Sequence, residues 1–385
     1  MLEGRSIVCF AHDWDGNPTS KTHIMRILAR KNRVLWVNSI GMRRPQATRR
    51  DVRRIIAKLR RTSAGCVEAE PNLFVANPLV VPLPGVPMAD AVNAAILTRW
   101  IRRLCRKYGL ERPILWTFLP NVARLVGRLR ERLVIYHCVD EYSAFAGVDR
   151  VSLARMETDL LQRADLVITS SQQLADERRQ WNSSTHFISH GVAMDLFAQA
   201  LDPGTEVPED LRRLRSPIIG FFGAIAEWVD VDLVRRVALA RPEWSFVLIG
   251  RALRDVTPLR HIPNVHLLGP RAYATLPGYC RGFDVAIIPF TVDELTVRAN
   301  PLKLREYLAA GLPVVATALP EIARYDGLVH LATSAEEFTD AIAAALNERS
   351  PAFIDKRLEA MRHESWDARV DEISGVIDQR LRRKS

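Results

Sequence analysis

Short apolar runs alternate with segments of helical periodicity along the whole chain of 385 residues. This alternation predicts parallel β-sheets wound with α-helices, because strands in such sheets are buried on both faces. The expected strands of the first half are 5–10, 33–38, 114–118, 133–138, 166–170 and 186–189. Those of the second half are 217–222, 245–249, 264–268, 284–289, 313–316 and 328–331. The pattern therefore indicates an α/β fold with two doubly wound, Rossmann-like domains of similar size.

The stretch 200–217 carries proline, glycine and charge in place of an apolar period, and it is the predicted linker. We expect an N-terminal domain at 1–200 and a C-terminal domain at 201–365. A C-terminal helix at 366–385 is a candidate for returning to the first domain. Ligands of such sheets bind at the carboxyl ends of the strands, so the active site is expected in a central cleft that both domains face.

Residues 299–317 read as a helix, a glycine stop and a parallel strand. Asn300 is a good N-cap, and Pro301 suits the first helical position, where its missing N–H costs nothing. Gly311 supplies the left-handed residue after the last turn, and the apolar run that follows reads as a buried strand. The segment thus presents a helix start whose first backbone N–H groups lack partners.

Two charged side chains follow that helix start. The unpaired N–H groups and the helix dipole stabilise a phosphate there, and Lys303 adds a full positive charge one turn in. Glu306 lies three residues further on, on the same face, where it suits the hydroxyls of a ribose. The pair indicates a site for a nucleoside diphosphate. The alternative is an ordinary capped helix with a surface Lys–Glu pair.

Two turns of the second half fit the same nucleotide half-site. The first strand runs to Gly223, where the backbone could approach a ligand closely. The strand at 264–268 ends in a turn that contains Arg271, placed where a base could be gripped. A plain turn is the alternative in each case.

The five cysteines are scattered, and none forms a Cys-x-x-Cys pair. This argues against a zinc site or a disulfide frame and for a reducing compartment. No apolar run is long enough to span a membrane, and the N-terminus enters a strand directly rather than a signal peptide. We therefore expect a soluble or peripheral cytoplasmic protein.

The net charge of +10 is concentrated in one short stretch. Between Arg43 and Arg61 there are nine Lys or Arg residues against one acid, Asp51. Residues 48–61 form a predicted basic amphipathic helix, which can lie on an anionic membrane surface. Nucleic acid is a competing partner, but the stretch has no recognition-helix motif, RNA-binding signature or aromatic interleaving, so none is expected. A solvated basic helix is the remaining alternative.

Six features in the chain resemble the GT-B glycosyltransferases, which transfer sugars from nucleotide donors. They are the segment 190–192, Gly223, the turn 248–251, the strand ends 264–269 and 283–289, and the block 300–317. The likeness covers nearly the whole chain. It extends to GT4-like bacterial enzymes of exopolysaccharide and teichuronic-acid assembly, and to the membrane-associated glucuronosyltransferase family of xanthan synthesis.

With the xanthan-type family, the resemblance reaches the first domain. The His12-Asp13 loop, which runs on to Lys21 and His23, looks like an acceptor-side element of that family. The strand end Tyr136-His-Cys-Val-Asp140 is similar to a second one. The first domain is accordingly expected to bind the acceptor and the second domain the nucleotide-sugar donor.

The resemblance implies roles for residues of the second domain. Lys303 would contact the donor diphosphate and Glu306 the ribose. Gly223 would let the backbone approach the donor, and the turn at Pro270 and Arg271 would meet the base.

Further donor-site candidates are Asn300 at the helix start and Arg251, which could pair with an acidic sugar, as could Arg271 and Arg298. In the common retaining GT-B pattern, a carboxylate stands eight residues before the ribose carboxylate. Here that position is Arg298, although Glu294 nearby could partly replace the acid. This departure speaks against a retaining enzyme.

An inverting transfer requires a group that takes the proton of the acceptor hydroxyl, while cations stabilise the departing diphosphate. Asp140 corresponds to the candidate base of the xanthan-type family. Asp13 is the second choice, and His12 or His190 is the third. The alternative for Asp140, which is followed by Glu141, is that it only caps the next helix.

Asp13-Trp-Asp15 contains a D-x-D pattern of the kind that holds a divalent metal in GT-A glycosyltransferases. It follows the first strand of the acceptor half, away from the predicted nucleotide, so we interpret it as coincidence. With Lys303 and the helix start available for the diphosphate, neither a metal nor another cofactor is expected.

The leading hypothesis is a glycosyltransferase that moves a sugar from a nucleoside-diphosphate sugar, with UDP expected, to a lipid-linked saccharide at the cytoplasmic face of the membrane. The basic helix and the apolar, proline-rich run 77–88 motivate the membrane part. A nucleotide-sugar epimerase or hydrolase on the same fold is the enzymatic alternative. A non-catalytic basic protein that binds membranes or nucleic acid is the other.

Overall fold

The computed structural model describes residues 1–39, 65–78, 80, 87–145 and 147–384. The predicted basic helix 48–61 lies outside the described residues, as do residues 79 and 81–86 of the apolar run 77–88. The strands of the first sheet are Ser6–Phe10 (β1), Arg33–Val37 (β2), Cys66–Glu70 (β3), Leu73–Ala76 (β4), Ile114–Thr117 (β5), Leu133–Cys138 (β6), Leu166–Thr169 (β7) and Thr185–Phe187 (β8). Those of the second sheet are Ile218–Phe222 (β9), Ser245–Ile249 (β10), Val265–Gly269 (β11), Val285–Ile288 (β12), Val314–Thr317 (β13) and Val329–Ala332 (β14).

The helices connect these strands and follow the last one. Those between the strands of the first sheet are Ser20–Ala29 (α1), Pro87–Lys107 (α2), Arg150–Arg163 (α3) and Gln172–Arg179 (α4). Those from β8 to β12 are Met194–Phe197 (α5), Glu209–Arg212 (α6), Val231–Ala240 (α7), Thr257–Arg260 (α8) and Leu276–Gly282 (α9). The remaining helices are Leu302–Ala309 (α10), Pro320–Ala323 (α11), Ala335–Ala345 (α12), Pro351–Met361 (α13) and Trp366–Lys384 (α14).

In the described part of the chain, the first sheet has eight strands in the order β3-β4-β2-β1-β5-β6-β7-β8. Every pairing is parallel except that of β3 with β4, which is antiparallel. The direction of winding reverses between β1 and β5. In doubly wound sheets, a crevice forms outside the carboxyl ends of the two strands at such a switch point.

The second sheet has six parallel strands in the order β11-β10-β9-β12-β13-β14. Its winding reverses between β9 and β12. The residues that follow these two strands are therefore the ones that line the switch point of the second sheet.

The prediction of two doubly wound α/β sheets is confirmed. Each of the twelve expected strands is present, with both ends within two residues of the predicted ones. The hairpin of β3 and β4 was not predicted. Strand β3 is an edge strand with mostly exposed side chains, so it lacks the apolar run by which the other strands are recognised.

The chain divides into two compact units, Met1–Ser189 with Arg369–Ser385 and His190–Ala368. Helix α14 begins in the second unit and belongs to the first from Arg369 onward. The second unit starts before the expected boundary at 200/201, and the linker prediction for 200–217 is wrong. Ala200 and Leu211 are buried in the core of the second unit, and α6 lies within the stretch. Ala200 and Leu211 are too far apart to form a periodic apolar pattern, but their burial is enough to anchor the stretch 200–217.

Each unit has its own core. Leu35 and Leu115 belong to the core of the first unit, and Ile219 and Val247 to that of the second. All five cysteines are free. Among the helices of the described ranges, none combines the length and apolarity that crossing a bilayer requires.

Candidate functional site

Lys303 lies at the switch point of the second sheet, in the first turn of α10. Its Nζ is 5.4 Å from the ring centroid of Phe221, in β9, and 4.8 Å from that of Phe290, which follows β12. The helix is held against β9 by Tyr307, whose hydroxyl accepts a hydrogen bond of 2.9 Å from the backbone N–H of Phe222. The ends of β9 and β12, the two strands between which the winding reverses, thus position the ammonium group of Lys303.

The ammonium of Lys303 is half-buried, and no carboxylate of the described residues forms an ion pair with it. Burial lowers the pKa of Lys303, and the nearby charge of Glu306 raises it. Aromatic faces stabilise a cation but do not neutralise it. A positive charge with this environment favours an anionic ligand.

Gly223 follows β9 with a φ of +138°, a conformation that side chains rarely adopt. A Cβ atom built on it would lie 3.0 Å from Cε of Lys303 and 3.3 Å from Nζ. At Gly250, with a φ of +150°, a Cβ atom would come within 1.8 Å of the carbonyl oxygen of Gly223. Both glycines are therefore required for the backbone to pass close to the lysine.

Glu306 is 9% exposed, and Tyr273 donates a hydrogen bond of 2.9 Å to its Oε1. Burial raises the pKa of Glu306, whereas the hydrogen bond and the charge of Lys303 lower it. The ring of Tyr273 packs edge-on against Phe197, with the centroids 5.6 Å apart. Tyr273 was not predicted: it lies two residues beyond the turn predicted to meet the base, but only the folded chain brings it to Glu306.

The predicted glycine stop of α10 is confirmed, since Gly311 has a φ of +74°. The predicted N-cap is wrong. The helix begins at Leu302, so Pro301 occupies the N-cap position, and no side chain caps the helix. Asn300 is 6% exposed, and its Oδ1 accepts a hydrogen bond of 2.8 Å from the guanidinium of Arg305. The amide is turned toward that buried arginine because Arg305 needs an acceptor.

Two predicted donor-site arginines, Arg251 and Arg271, lie in the turns after β10 and β11. Arg271 donates hydrogen bonds of 2.7 Å to the hydroxyl of Tyr279 and to Oδ2 of Asp210. This network ties the turn after β11 to α9 and α6. Arg251 is exposed, and its backbone carbonyl accepts a hydrogen bond of 3.0 Å from Ile225. Their roles in donor binding stay predictions.

Arg298, which stands where the retaining pattern has a carboxylate, is directed toward Glu294. Its guanidinium donates a hydrogen bond of 2.8 Å to the backbone carbonyl of Glu294 and lies 3.9 Å from that residue's carboxylate. The carboxylate and the guanidinium thus occupy one short loop between β12 and α10.

Asp140 follows the carboxyl end of β6, and no described side chain donates a hydrogen bond to its half-buried carboxylate. The cap of the next turn is Glu141, whose carboxylate accepts hydrogen bonds from the backbone N–H and the hydroxyl of Ser143. The alternative that Asp140 serves as this cap is therefore wrong. Burial raises the pKa of Asp140, and the charge of Lys21 lowers it.

The second and third choices for the base lie in different surroundings. Asp13 and His12 are exposed in the loop after β1, and Nδ1 of His12 lies 2.8 Å from Nζ of Lys21. The charge of Lys21 lowers the pKa of His12 to about 3. His190 is 6% exposed and packs near Trp366 in the second unit. The structure therefore brings His12, Lys21 and Asp140 into one electrostatic cluster of the first unit, whereas His190 belongs to the second unit.

The requirement for a metal stays a prediction. In the described part of the chain, no three His, Cys, Asp or Glu side chains are arranged to hold a metal ion. Asp15, the second acid of the D-x-D pattern, is exposed like Asp13.

A buried ionic cluster supports the loop of Asp140. The guanidinium of Arg178 pairs with Glu141 at 2.7 Å and with Glu157 at 3.1 Å, and each of the three side chains is less than a tenth exposed. Tyr136 donates a hydrogen bond of 2.7 Å to Glu157. The cluster links β6, α3 and α4 beneath the predicted base.

The chain is similar to known proteins both in sequence and in fold. Residues 216–348 match the family model described as "Glycosyl transferases group 1". Over 97% and 99% of its length, the chain also matches two solved structures of the GT-B fold. The chain has the GT-B fold. The match to the group 1 family model lies within the second unit, and Gly223, Lys303 and Glu306 all fall inside the matched range.

Two solved structures show the extent of the GT-B likeness. The Anabaena protein HepE, solved with UDP-glucose, superposes with a TM-score of 0.68 at 14% identity over 97% of this chain and 99% of its own. A UDP-forming α,α-trehalose-phosphate synthase from Burkholderia vietnamiensis gives a TM-score of 0.70 at 13% identity over 99% and 98% of the two chains. At these identities, the likeness establishes the fold alone.

A sequence relative is TuaH of Bacillus subtilis, whose name assigns it to teichuronic acid biosynthesis as a glycosyltransferase. It is 30% identical over 231 residues, which are 56% of this chain and 57% of TuaH. The chain thus matches little more than half the length of this curated relative.

Proposed function

We propose that the protein is a glycosyltransferase that moves a sugar from a UDP-sugar to a hydroxyl of a lipid-linked saccharide in the synthesis of a bacterial surface polysaccharide. The group 1 domain supports the transferase class. The UDP-glucose complex of HepE supports the donor, and the named role of TuaH supports the polysaccharide.

The observation that carries the proposal is the environment of Lys303. Its half-buried ammonium lies between two aromatic rings at the switch point of the second sheet, without an ion-pair partner among the described residues. A diphosphate at the start of α10 would meet this charge together with the backbone N–H groups of Leu302 and Lys303, which precede the first N–H bonded within the turn, that of Leu304. Gly223 leaves room for the side chain of Lys303 to pass over the backbone and reach this position.

Glu306 would accept hydrogen bonds from the ribose hydroxyls. It lies one turn beyond Lys303 on the same helix face, and Tyr273 holds one of its carboxylate oxygens. An ionised carboxylate is an acceptor with several lone pairs, so it can serve Tyr273 and the ribose together. This arrangement favours a nucleoside diphosphate over inorganic diphosphate.

Asp140 would act as the base of an inverting transfer. As the acceptor oxygen bonds to the anomeric carbon, the bond from that carbon to the diphosphate oxygen breaks, and the hydroxyl proton moves to the carboxylate of Asp140. Lys303 and the helix start stabilise the negative charge that develops on the leaving UDP. This chemistry needs neither a metal nor another cofactor.

We further propose that the protein acts at the inner face of the cell membrane, with the basic helix 48–61 on anionic lipid. Flotation with vesicles of phosphatidylglycerol, and with vesicles of neutral lipid alone, tests this part. Binding to the anionic vesicles should weaken as salt rises. Equal binding to both kinds of vesicle, or to neither, would exclude the electrostatic mechanism.

Calorimetric titration with UDP tests the donor site. Lys303→Met and Glu306→Gln should each weaken binding about tenfold or more, because each removes a charge-assisted contact. Lys356→Met is the matched control, since Lys356 is an exposed lysine of the same unit that donates only to the carbonyl of Gly327. Wild-type affinity in both site variants would refute the assignment.

Product analysis tests the reaction class. Incubation with a UDP-sugar alone should leave the sugar unchanged, and added membrane extract should start UDP release together with labelling of the lipid fraction. A changed sugar without acceptor would identify an epimerase. Free sugar without acceptor would identify a hydrolase.

A further inference from the structure

Lys21 occupies the switch point of the first sheet, as Lys303 does in the second. It is the second residue of α1 and only 6% exposed. Its Nζ lies 5.9 Å from the ring centroid of Phe118, which follows β5, and 5.8 Å from that of Tyr142, which follows β6. His12, which follows β1, completes the surroundings. A lysine buried to this degree needs a reason, because few lysines are fully buried in proteins.

The hydrogen bond from Lys21 to His12 determines which nitrogen of the imidazole carries the proton. An ammonium group can only donate, so Nδ1 of His12, at 2.8 Å, must supply a lone pair. The proton of the neutral ring then sits on Nε2. The His12 side chain is exposed, and the described residues offer no partner to Nε2, so this N–H is available to a substrate.

The other titratable groups around Lys21 are uncharged at neutral pH, apart from one carboxylate. Burial raises the pKa of the Cys9 and Cys138 thiols and of the Tyr142 hydroxyl. The pKa of His12 and that of His137 are lowered to about 3, the first mainly by the charge of Lys21 and the second mainly by burial. The remaining group that interacts with Lys21 is Asp140, which raises the pKa of the lysine, while burial lowers it.

We propose that Lys21 is a positioning residue of the transfer reaction: it presents Nε2–H of His12 as a hydrogen-bond donor to an oxygen of the saccharide acceptor, and its positive charge acts on the carboxylate of Asp140 from beyond ion-pair distance. The proposal rests on the proposed function, because it assigns the acceptor side of the same reaction. It makes His12 a neutral donor rather than a base, since its other ring nitrogen is already engaged by Lys21.

The pH dependence of transfer distinguishes this role from a structural one. Lys21 lowers the pKa of Asp140, so in Lys21→Met that pKa should rise and the acid limb of the rate profile should move to higher pH. If the acid limb moves by one pH unit, the transfer rate of the variant falls about tenfold at pH values on that limb. The rate recovers toward that of the wild type at high pH. A purely structural lysine would lower the rate by the same factor at every pH.

Nitrogen NMR of the ¹⁵N-histidine-labelled protein tests the tautomer directly, with the His12 signals assigned by their loss in His12→Gln. In the wild type, we expect a protonated Nε2 and an unprotonated Nδ1 that stays unprotonated at pH 5. A proton on Nδ1 would overturn the proposal without use of Lys21→Met, so the test holds even if that variant fails to fold.

Two controls separate this proposal from the proposed function. Lys31→Met removes an exposed lysine just after α1, which pairs only with Glu3 at 3.2 Å, and should leave the profile unchanged. UDP titration should give wild-type affinity for Lys21→Met. An unshifted acid limb in Lys21→Met would refute the role of Lys21. Full turnover of Asp140→Asn would refute the assigned base, whatever the tautomer of His12.

Discussion

The side chain of Lys303 crosses directly over the backbone of Gly223, so close that a Cβ atom at residue 223 would force the lysine to shift. Such an atom would lie 3.0 Å from Cε and 3.3 Å from Nζ of the lysine. Residues 80 positions apart in the chain thus share one small volume at the end of β9. Because the lysine head group is packed there, its position is sensitive to any side chain at residue 223.

Gly223→Ala should weaken UDP binding by roughly tenfold. The new methyl group must displace Lys303 from its place between Phe221 and Phe290, and a φ of +138° strains any residue but glycine by about 1 kcal/mol or more. Calorimetric titration with UDP measures the effect. Gly327→Ala is the control: its φ is +72°, and a Cβ atom there would meet only Nζ of Lys356, at 3.6 Å. Equal losses in the two variants would mean that strain alone is responsible.

Tyr273→Phe should make UDP binding more sensitive to acid. The hydrogen bond from Tyr273 lowers the pKa of Glu306, so its removal raises that pKa further and the carboxylate is protonated at higher pH. The loss of affinity should therefore be small at pH 8 and reach roughly three- to tenfold at pH 6, as expected for one hydrogen bond. Titrations at both pH values measure it. Tyr325→Phe, which removes a hydroxyl bonded to Glu364, should behave as wild type.

Asp140→Asn should reduce transfer by about a thousandfold while leaving UDP affinity unchanged, because an amide cannot take the proton of the acceptor hydroxyl. Initial rates with a UDP-sugar and membrane acceptor measure the change. Asp13→Asn is the comparison, as the second choice for the base. The larger loss in Asp13→Asn would move the base to the loop after β1.

Arg178→Met should destabilise the first unit by about 3–5 kcal/mol, because it leaves Glu141 and Glu157 as buried charges without their partner. Scanning calorimetry should show a lower unfolding midpoint. Arg179→Met removes the neighbouring arginine, which pairs with Asp176 on the surface, and should cost less than about 1 kcal/mol. Similar midpoints for the two variants would show that the buried cluster contributes nothing.

Removal of divalent metal should leave transfer unchanged, since Lys303 and the start of α10 are proposed to neutralise the diphosphate. Rates measured in excess EDTA, and after addition of Mg²⁺ or Mn²⁺, test this. A rate that falls in EDTA and returns with metal would contradict the proposal. The Asp13-Trp-Asp15 segment would then be the first place to search for the ion.

Much of the fold could be read from local pattern. Buried parallel strands such as β9 and β13 need consecutive apolar residues, so Ile218–Phe222 and Val314–Thr317 are recognisable in isolation. The exposed edge strand Cys66–Glu70 carries no such run and was missed. The stretch 200–217 was wrongly predicted to be a linker, because the two buried residues that anchor it, Ala200 and Leu211, do not form a periodic apolar pattern.

The candidate site, like the fold, could be predicted from the sequence only in part. The spacing of Lys303 and Glu306 is a property of one helix, so the sequence is enough to predict that both side chains share a face. The contacts of Tyr273 with Glu306, of Asn300 with Arg305 and of Lys21 with His12 become visible only in the folded chain. Helical periodicity acts over a few residues, whereas the partners of a buried polar group are set by how distant elements pack.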